Sequence, residues 1–215
     1  MKKIIIIFLT LLPMLVFSGC GNNTSNIPSS GDNNNTQSNK VDEQKQNEPS
    51  DIKPEEQNTK KSEPTETLLY EFSTPIKTSS SNRLTNIQLT CQFLNGTEVE
   101  NEEEFSFCGT VGQASSSKGY KKADVIVNKQ IVQAIGGGMC QVSTTLYNAV
   151  LGVPGLEVTE RHSHDKPVNY VESGKDATIS YGTLDFKFVN KTGNKIKIIA
   201  SNDENTVTIK INSIS

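Results

Sequence analysis

Hydrophobic residues along the chain fall into three regimes. After Met1-Lys2-Lys3, residues 4–17 are almost wholly apolar. That is about the length of a signal h-region and short for a bilayer span. Residues 21–66 then contain only Ile27, Val41 and Ile52 as apolar side chains, and no aromatic residue. Such a stretch cannot bury enough surface to offset the entropy of ordering, so it is expected to be a disordered tether. From residue 67 onward short periodic stretches return. Leu69 to Ser73 alternates and predicts a first strand. Leu84, Ile87, Cys91 and Leu94 follow helical spacing, with Asn95-Gly96 as the stop.

Phe105-Ser106-Phe107 predicts a short strand, and residues 123–128 and 130–132 a hairpin turned at Asn128-Lys129. Val142, Leu146, Ala149 and Val150 predict a second helix that ends by Gly152 and Pro154. Residues 156–164 alternate as a strand, with Leu156, Val158, Glu160, His162 and His164 on one face. Residues 177–181 and 184–188 read as further strands, and 196–199 with 207–211 as a closing hairpin. The expected fold class is α+β, a mostly antiparallel sheet with about two helices, preceded by the tether.

Composition narrows the classes. With 33% hydrophobic residues the chain is too polar for a multi-span membrane protein. A net charge of −3 and no Lys/Arg cluster argue against nucleic acid as a partner. The apolar start ends in Phe17-Ser18-Gly19-Cys20, which resembles a bacterial lipobox. The expected organisation is a lipoprotein signal peptide over 1–19, a tether over 20–66 with lipidated Cys20, and a folded domain over 67–215. The expected location is the outer face of the cell membrane, held by the lipid and without a spanning helix.

The chemistry concentrates around Cys140. Gly136-Gly137-Gly138 stand immediately before the predicted helix, where glycine permits unusual backbone angles and a close approach. Backbone N–H groups at such a turn form an anion-binding concavity, and a Cys at a helix start favours thiolate. A nucleophile and oxyanion donors would then come from one segment, as acyl transfer by a thiol requires. The chain's two histidines, His162 and His164, supply a candidate base, with Asp176 or Asp185 to orient it. In a regular strand Arg161 points away from both rings. Two other readings compete. Cys140, His162, His164 and one Asp are also the ligand types of Zn²⁺, and a non-catalytic wall- or glycopeptide-binding module fits the tether equally well.

The run Gly136-Gly137-Gly138-Met139-Cys140-Gln141-Val142-Ser143-Thr144-Thr145-Leu146-Tyr147-Asn148-Ala149 resembles the hallmark of the VanW-like family. So do Glu160-Arg161-His162-Ser163-His164 with Pro167-Val168, Gly174 to Thr178, Asp185 to Phe188, Leu94 to Thr97, and Phe105-Ser106-Phe107 with Val111-Gly112. The similarity runs from about residue 68 to 211. Some clostridial proteins with this domain are L,D-transpeptidases that make 3→3 cross-links in peptidoglycan. The resemblance therefore implies a cysteine acyl-enzyme at Cys140, with His162, His164, Asp176 and Asp185 as catalytic motif positions. It implies Gly136, Gly137, Gly138, Gln141 and Ser143 as an oxyanion and substrate loop, and Arg161 and Tyr147 as substrate contacts. The implied partner is a peptidoglycan stem peptide acted on by a monomer, with neither cofactor nor metal. Cys108 departs from the family pattern, where Asn is expected, and Cys91 stands where a small residue is usual. A Cys91–Cys108 disulfide and two free thiols both remain open at this stage.

Overall fold

The computed structural model describes residues 65–78 and 80–215. The expected signal peptide, Cys20 and all but the end of the tether lie outside the described residues. The tether boundary itself moves. Glu66 already belongs to β1 (Glu66–Pro75), where it pairs with Ile214, and Thr65 exchanges backbone hydrogen bonds with Ser215.

β1 is followed by α1 (Ser81–Leu94), β2 (Thr97–Val99), β3 (Glu104–Ser106), α2 (Phe107–Val111), β4 (Lys122–Val127) and β5 (Gln130–Ile135). Then come α3 (Met139–Leu151), β6 (Leu156–Glu160), β7 (Lys187–Asn190), β8 (Lys195–Asn202) and β9 (Thr206–Ile214). The strands form a four-stranded sheet in the order β1-β9-β8-β2, a three-stranded sheet β3-β7-β6, and the separate hairpin β4-β5. All pairings are antiparallel. The fold is α+β, with three helices among the described residues rather than two.

Alternation explains the large sheet. Ile196, Ile198 and Ala200 of β8 and Val207, Ile209 and Ile211 of β9 are buried on one face. α1 packs on β8, α3 on β9 and β1, and the two helices on each other. The core beneath them includes Ile87, Leu94, Val142, Leu146 and Val150, all without solvent exposure. Phe105 and Phe188 stack at 4.9 Å to carry the core into the smaller sheet.

Three expected strands end early or do not form. Phe107 opens α2 instead of ending a strand. Ser106 Oγ accepts from Gly109 N at 2.8 Å and Asp185 Oδ1 from Cys108 N at 2.8 Å, which caps a helix there. β6 stops at Glu160, not His164, after a register shift between Val158 and Glu160. Beyond it only a single bridge, His162 to Thr178, continues the pairing. Residues 177–181 form bridges, not a strand. Ala177 N donates to Thr144 Oγ1 (2.9 Å), and Ala177 O accepts from Ser143 Oγ (2.6 Å) and Thr144 Oγ1 (3.3 Å). Buried hydroxyls of α3 thus replace a neighbouring strand.

The hairpin turns where expected, with Asn128 and Lys129 both at positive φ (49° and 62°), the geometry of a two-residue turn that matches strand twist. Gly137 lies against its backbone: a Cβ there would meet Asp124 O at 2.6 Å. Asn86, fully buried on α1, ties the region together. Its Nδ2 donates to Lys121 O and Gly137 O (both 2.9 Å), and its Oδ1 accepts from Lys121 N at 2.7 Å. We predict that Asn86→Ala lowers unfolding free energy by about 2–4 kcal/mol, because it removes three hydrogen bonds from a fully buried side chain and leaves Gly137 O without this partner. Denaturant unfolding checks this; a loss under about 0.5 kcal/mol would refute the role.

Candidate active site

Cys140 is the second residue of α3, half-buried, behind a turn whose glycines have distinct tasks. Gly136 and Gly138 sit at φ 90° and 120°, which disfavours any other residue, while Gly137 has an ordinary φ and is needed for contact with β4. The close approach is therefore made by the protein's own backbone. Met139 N and Gln141 N turn back to Gly136 O and Gly138 O at 3.1 and 3.0 Å. The Cys140 N–H has no protein acceptor among the described residues, which leaves it as an anion donor beside its own sulfur.

The Cys140 Sγ lies 3.6 Å from Thr178 Oγ1 and 3.7 Å from the Ile179 carbonyl. The His164 ring is close enough to act on that sulfur and lower its pKa. Asp176 holds that ring: its Oδ2 accepts from His164 Nδ1 at 2.6 Å and from His164 N at 2.7 Å. With Nδ1 committed, Nε2 is the nitrogen left for the sulfur. The Asp176 Oδ1 accepts from Arg161 Nη2 at 3.0 Å, and the same guanidinium grips Asp176 O (2.6 Å) and Gly174 O (3.0 Å). The structure thus lines up Cys140, His164 and Asp176, with Arg161 behind them.

Electrostatics follow from this line. Burial works against charge on Cys140, yet the His164 hydrogen bond and positive charge, with help from Ile179 and Thr178, bring its thiol below the ordinary value. Burial likewise opposes charge on His164, and the Cys140 thiolate and Asp176 overcome it, so the imidazole is raised. Asp176 is lowered, its own desolvation outweighed by the His164 backbone and ring. Both shifts favour the thiolate–imidazolium form of the pair, whose two groups titrate together.

The other sequence-derived residues are placed elsewhere. His162, whose side chain is 38% exposed, bonds Glu160 Oε1 at 2.9 Å. The shared face expected for the two rings is lost, because β6 ends at Glu160 and regular alternation does not reach residues 161–164. The same irregularity turns Arg161 toward Asp176. Asp185 takes Ser106 Oγ (2.6 Å) and the N–H groups of Cys108 and Phe186 (both 2.8 Å), so it caps α2 and holds no histidine. Ser143 is fully buried on Ala177 O and Cys140 O. Tyr147 packs edge-on against Phe186 with Arg161 over its ring at 5.3 Å, and neither lines the cleft. Gln141 is buried and bonded to Thr74, Pro75 and Arg83.

Cys140 opens into a cavity of about 770 Å³. Its walls are the glycine turn, the β4–β5 hairpin, the start of α1, and residues 163–170 and 178–181. Arg83, Tyr170 and Cys108 line it, and sequence periodicity marks none of them. Burial raises the Tyr170 phenol, keeping it a neutral donor. Cys91, Cys108 and Cys140 are free thiols, without the disulfide. Burial pushes both Cys91 and Cys108 up to about 12, with Asp185 adding to the effect at Cys108. Among the described residues no three His, Cys, Asp or Glu side chains converge as a metal-holding group. The zinc reading needs His162 beside Cys140, and that ring is engaged with Glu160.

Comparison with known proteins follows the same residues. The sequence profile described as VanW like protein matches residues 82–212, which include Cys140, His164, Asp176 and Arg161. Uncharacterized protein YoaR of Bacillus subtilis (strain 168) is 41% identical over 132 residues, covering 61% of this chain and 43% of that protein. Vancomycin B-type resistance protein VanW of Enterococcus faecalis (strain ATCC 700802 / V583) is 32% identical over 131 residues, covering 59% of this chain and 47% of that protein. The chain therefore spans less than half the length of these curated relatives. No solved structure matches. With the profile covering more than half of its length, the chain belongs to the VanW-like family.

Proposed function

We propose that the protein is a cysteine acyltransferase acting on peptidoglycan stem peptides, an L,D-transpeptidase that forms 3→3 cross-links. The observation that carries this reading is the Cys140–His164–Asp176 line at the mouth of a substrate-sized cavity. In this scheme the Cys140 thiolate attacks the carbonyl of the third, L-configured residue of a tetrapeptide donor. The Cys140 N–H meets the developing oxyanion. The C–N bond breaks, and the terminal residue leaves as an amine that takes the proton of the His164 imidazolium. A thioester remains. A side-chain amine of a neighbouring stem gives a proton to the now neutral His164, attacks the thioester and expels the thiolate. Water in place of that amine gives carboxypeptidase action.

Asp176 keeps the ring oriented and stabilises its charge, and Arg161 fixes Asp176; both are positioning residues. His162 and Asp185 have no part in the chemistry. The upstream sequence supports a setting as well: a lipid on Cys20 and the polar tether would hold the domain, as a monomer, at the outer face of the membrane beneath its substrate. A relative named for vancomycin resistance supports a wall-directed activity.

Cys140→Ala is predicted to abolish both turnover and thioester formation on disaccharide-tetrapeptide, read by mass spectrometry of protein and product. Cross-linking that persists in this variant would remove Cys140 from the mechanism. His164→Ala should cost about 10²–10⁴ in rate.

Iodoacetamide at neutral pH should label Cys140 in preference to Cys91 and Cys108. The labelling rate should rise with pH around a midpoint below that of an ordinary thiol. His164→Ala and Asp176→Asn should each move that midpoint upward, since burial then acts with less opposition. Activity should be bell-shaped in pH, lost on the acid side as the thiolate protonates and on the alkaline side as the imidazolium loses its proton. An unmoved midpoint in both variants would break the proposed ion pair.

A further inference from the structure

Arg83 stands where a cation is locally unfavourable. It is in the first turn of α1, at the positive end of the helix dipole, and no acidic residue accompanies it. No carboxylate partners it among the described residues. Its side chain is half-buried and lines the same cavity as Cys140. Helix stability does not account for such a residue.

The protein nevertheless holds it in place. Arg83 Nη2 donates to Gln141 Oε1 at 3.1 Å, and Gln141 is 1% exposed and adjacent to Cys140. Proton accounting fixes the direction of that amide. Thr145 Oγ1 donates to Gln141 O at 2.7 Å, so across the 2.8 Å contact Thr74 Oγ1 donates to Thr145 Oγ1. Thr74 Oγ1 then accepts from Gln141 Nε2 at 3.2 Å, and Pro75 O accepts from the same nitrogen at 3.0 Å. Both amide protons are spent, and Oε1 is left for the guanidinium. Gly138 makes room for the arginine stem: a Cβ there would meet Arg83 Cγ at 3.3 Å and Arg83 O at 3.2 Å. Apart from the bond to Gln141, the guanidinium donors have no protein acceptor among the described residues.

We propose that Arg83, steadied by Gln141, is a carboxylate-binding site that receives the free C-terminal α-carboxylate of the acyl-donor peptide. This rests on the acyl-transfer reading above. Attack at the third carbonyl of a tetrapeptide releases its last residue, whose carboxylate lies one residue beyond the scissile bond. A guanidinium that lines the same cavity as the nucleophile, is held by the residue next to it and keeps a planar fork of unused donors suits that anion. Recognition of the free terminus would select tetrapeptide donors over chains blocked or extended at that end.

The test uses the whole chain carrying Cys140→Ala, so that binding is measured without turnover. The probes are a stem tetrapeptide ending in L-Lys-D-Ala and its C-terminal carboxamide, titrated by calorimetry. The acid should bind about ten- to a hundredfold tighter than the amide. Adding Arg83→Met should bring that ratio close to one, and Arg83→Lys should leave part of it. Equal affinity for acid and amide with Arg83 intact, including no measurable binding of either, overturns the proposal; this comparison needs no Arg83 variant to fold. An acid preference that survives Arg83→Met also overturns it. The native protein incubated with the same acid reports separately on the chemistry: absence of a Cys140 thioester sinks the acyl-transfer reading, while the acid–amide contrast still decides the carboxylate site.

Discussion

The site depends on one buried carboxylate. Asp176 receives the His164 ring and backbone on one oxygen and Arg161 on the other. The segments it joins, residues 161–164 and 174–178, share no strand ladder beyond one bridge. The carboxylate takes the place of a sheet there, and it fixes ring direction, ring charge and loop path together. Such an arrangement is stable only while it is complete. Loss of the carboxylate itself would leave both Arg161 and His164 without their shared anion, a cost of about 3–5 kcal/mol.

Three thiols in one domain show how much the neighbourhood decides. Cys91 lies in the core among apolar side chains, and burial alone holds its proton on. Cys108 borders the same cavity as Cys140, but the carboxylate of Asp185 stands beside it and reinforces the effect of burial. Cys140 suffers desolvation as well, and differs by having the His164 imidazole beside it to offset that cost. Helix position alone would not separate them, since Cys108 also lies at the start of a helix.

What could be read from the sequence divides along physical lines. Strands that alternate against helices, β8 and β9 above all, follow from residue pattern, as do the apolar positions of α1 and α3. The pattern fails where side chains substitute for backbone partners: at Phe107, capped by Ser106 and Asp185, and at Ala177, held by hydroxyls of α3. In the site, Cys140, His164 and Asp176 were legible as residue types in a cluster. Which histidine turns inward was not, because β6 ends before both and the Asp176 carboxylate, distant in sequence, takes His164. Arg161 and Tyr147 read as substrate contacts and instead pack on each other behind Asp176. Arg83 and Tyr170 gave no signal, one lying in the first turn of a helix and the other in a segment without periodicity.

The β4–β5 hairpin has a bearing on access. It walls the cavity yet belongs to neither larger sheet, and Val127, Ile131, Val132 and Ile135 on it are exposed. Its rungs can open without breaking any rung elsewhere, so the work of widening the cleft falls on two short strands, their seat on Gly137 and the Asn82 bond from α1 to Lys122 O. A bulkier ligand can therefore be admitted by bending one wall, while Cys140, fastened to α3 and the core, keeps its aim.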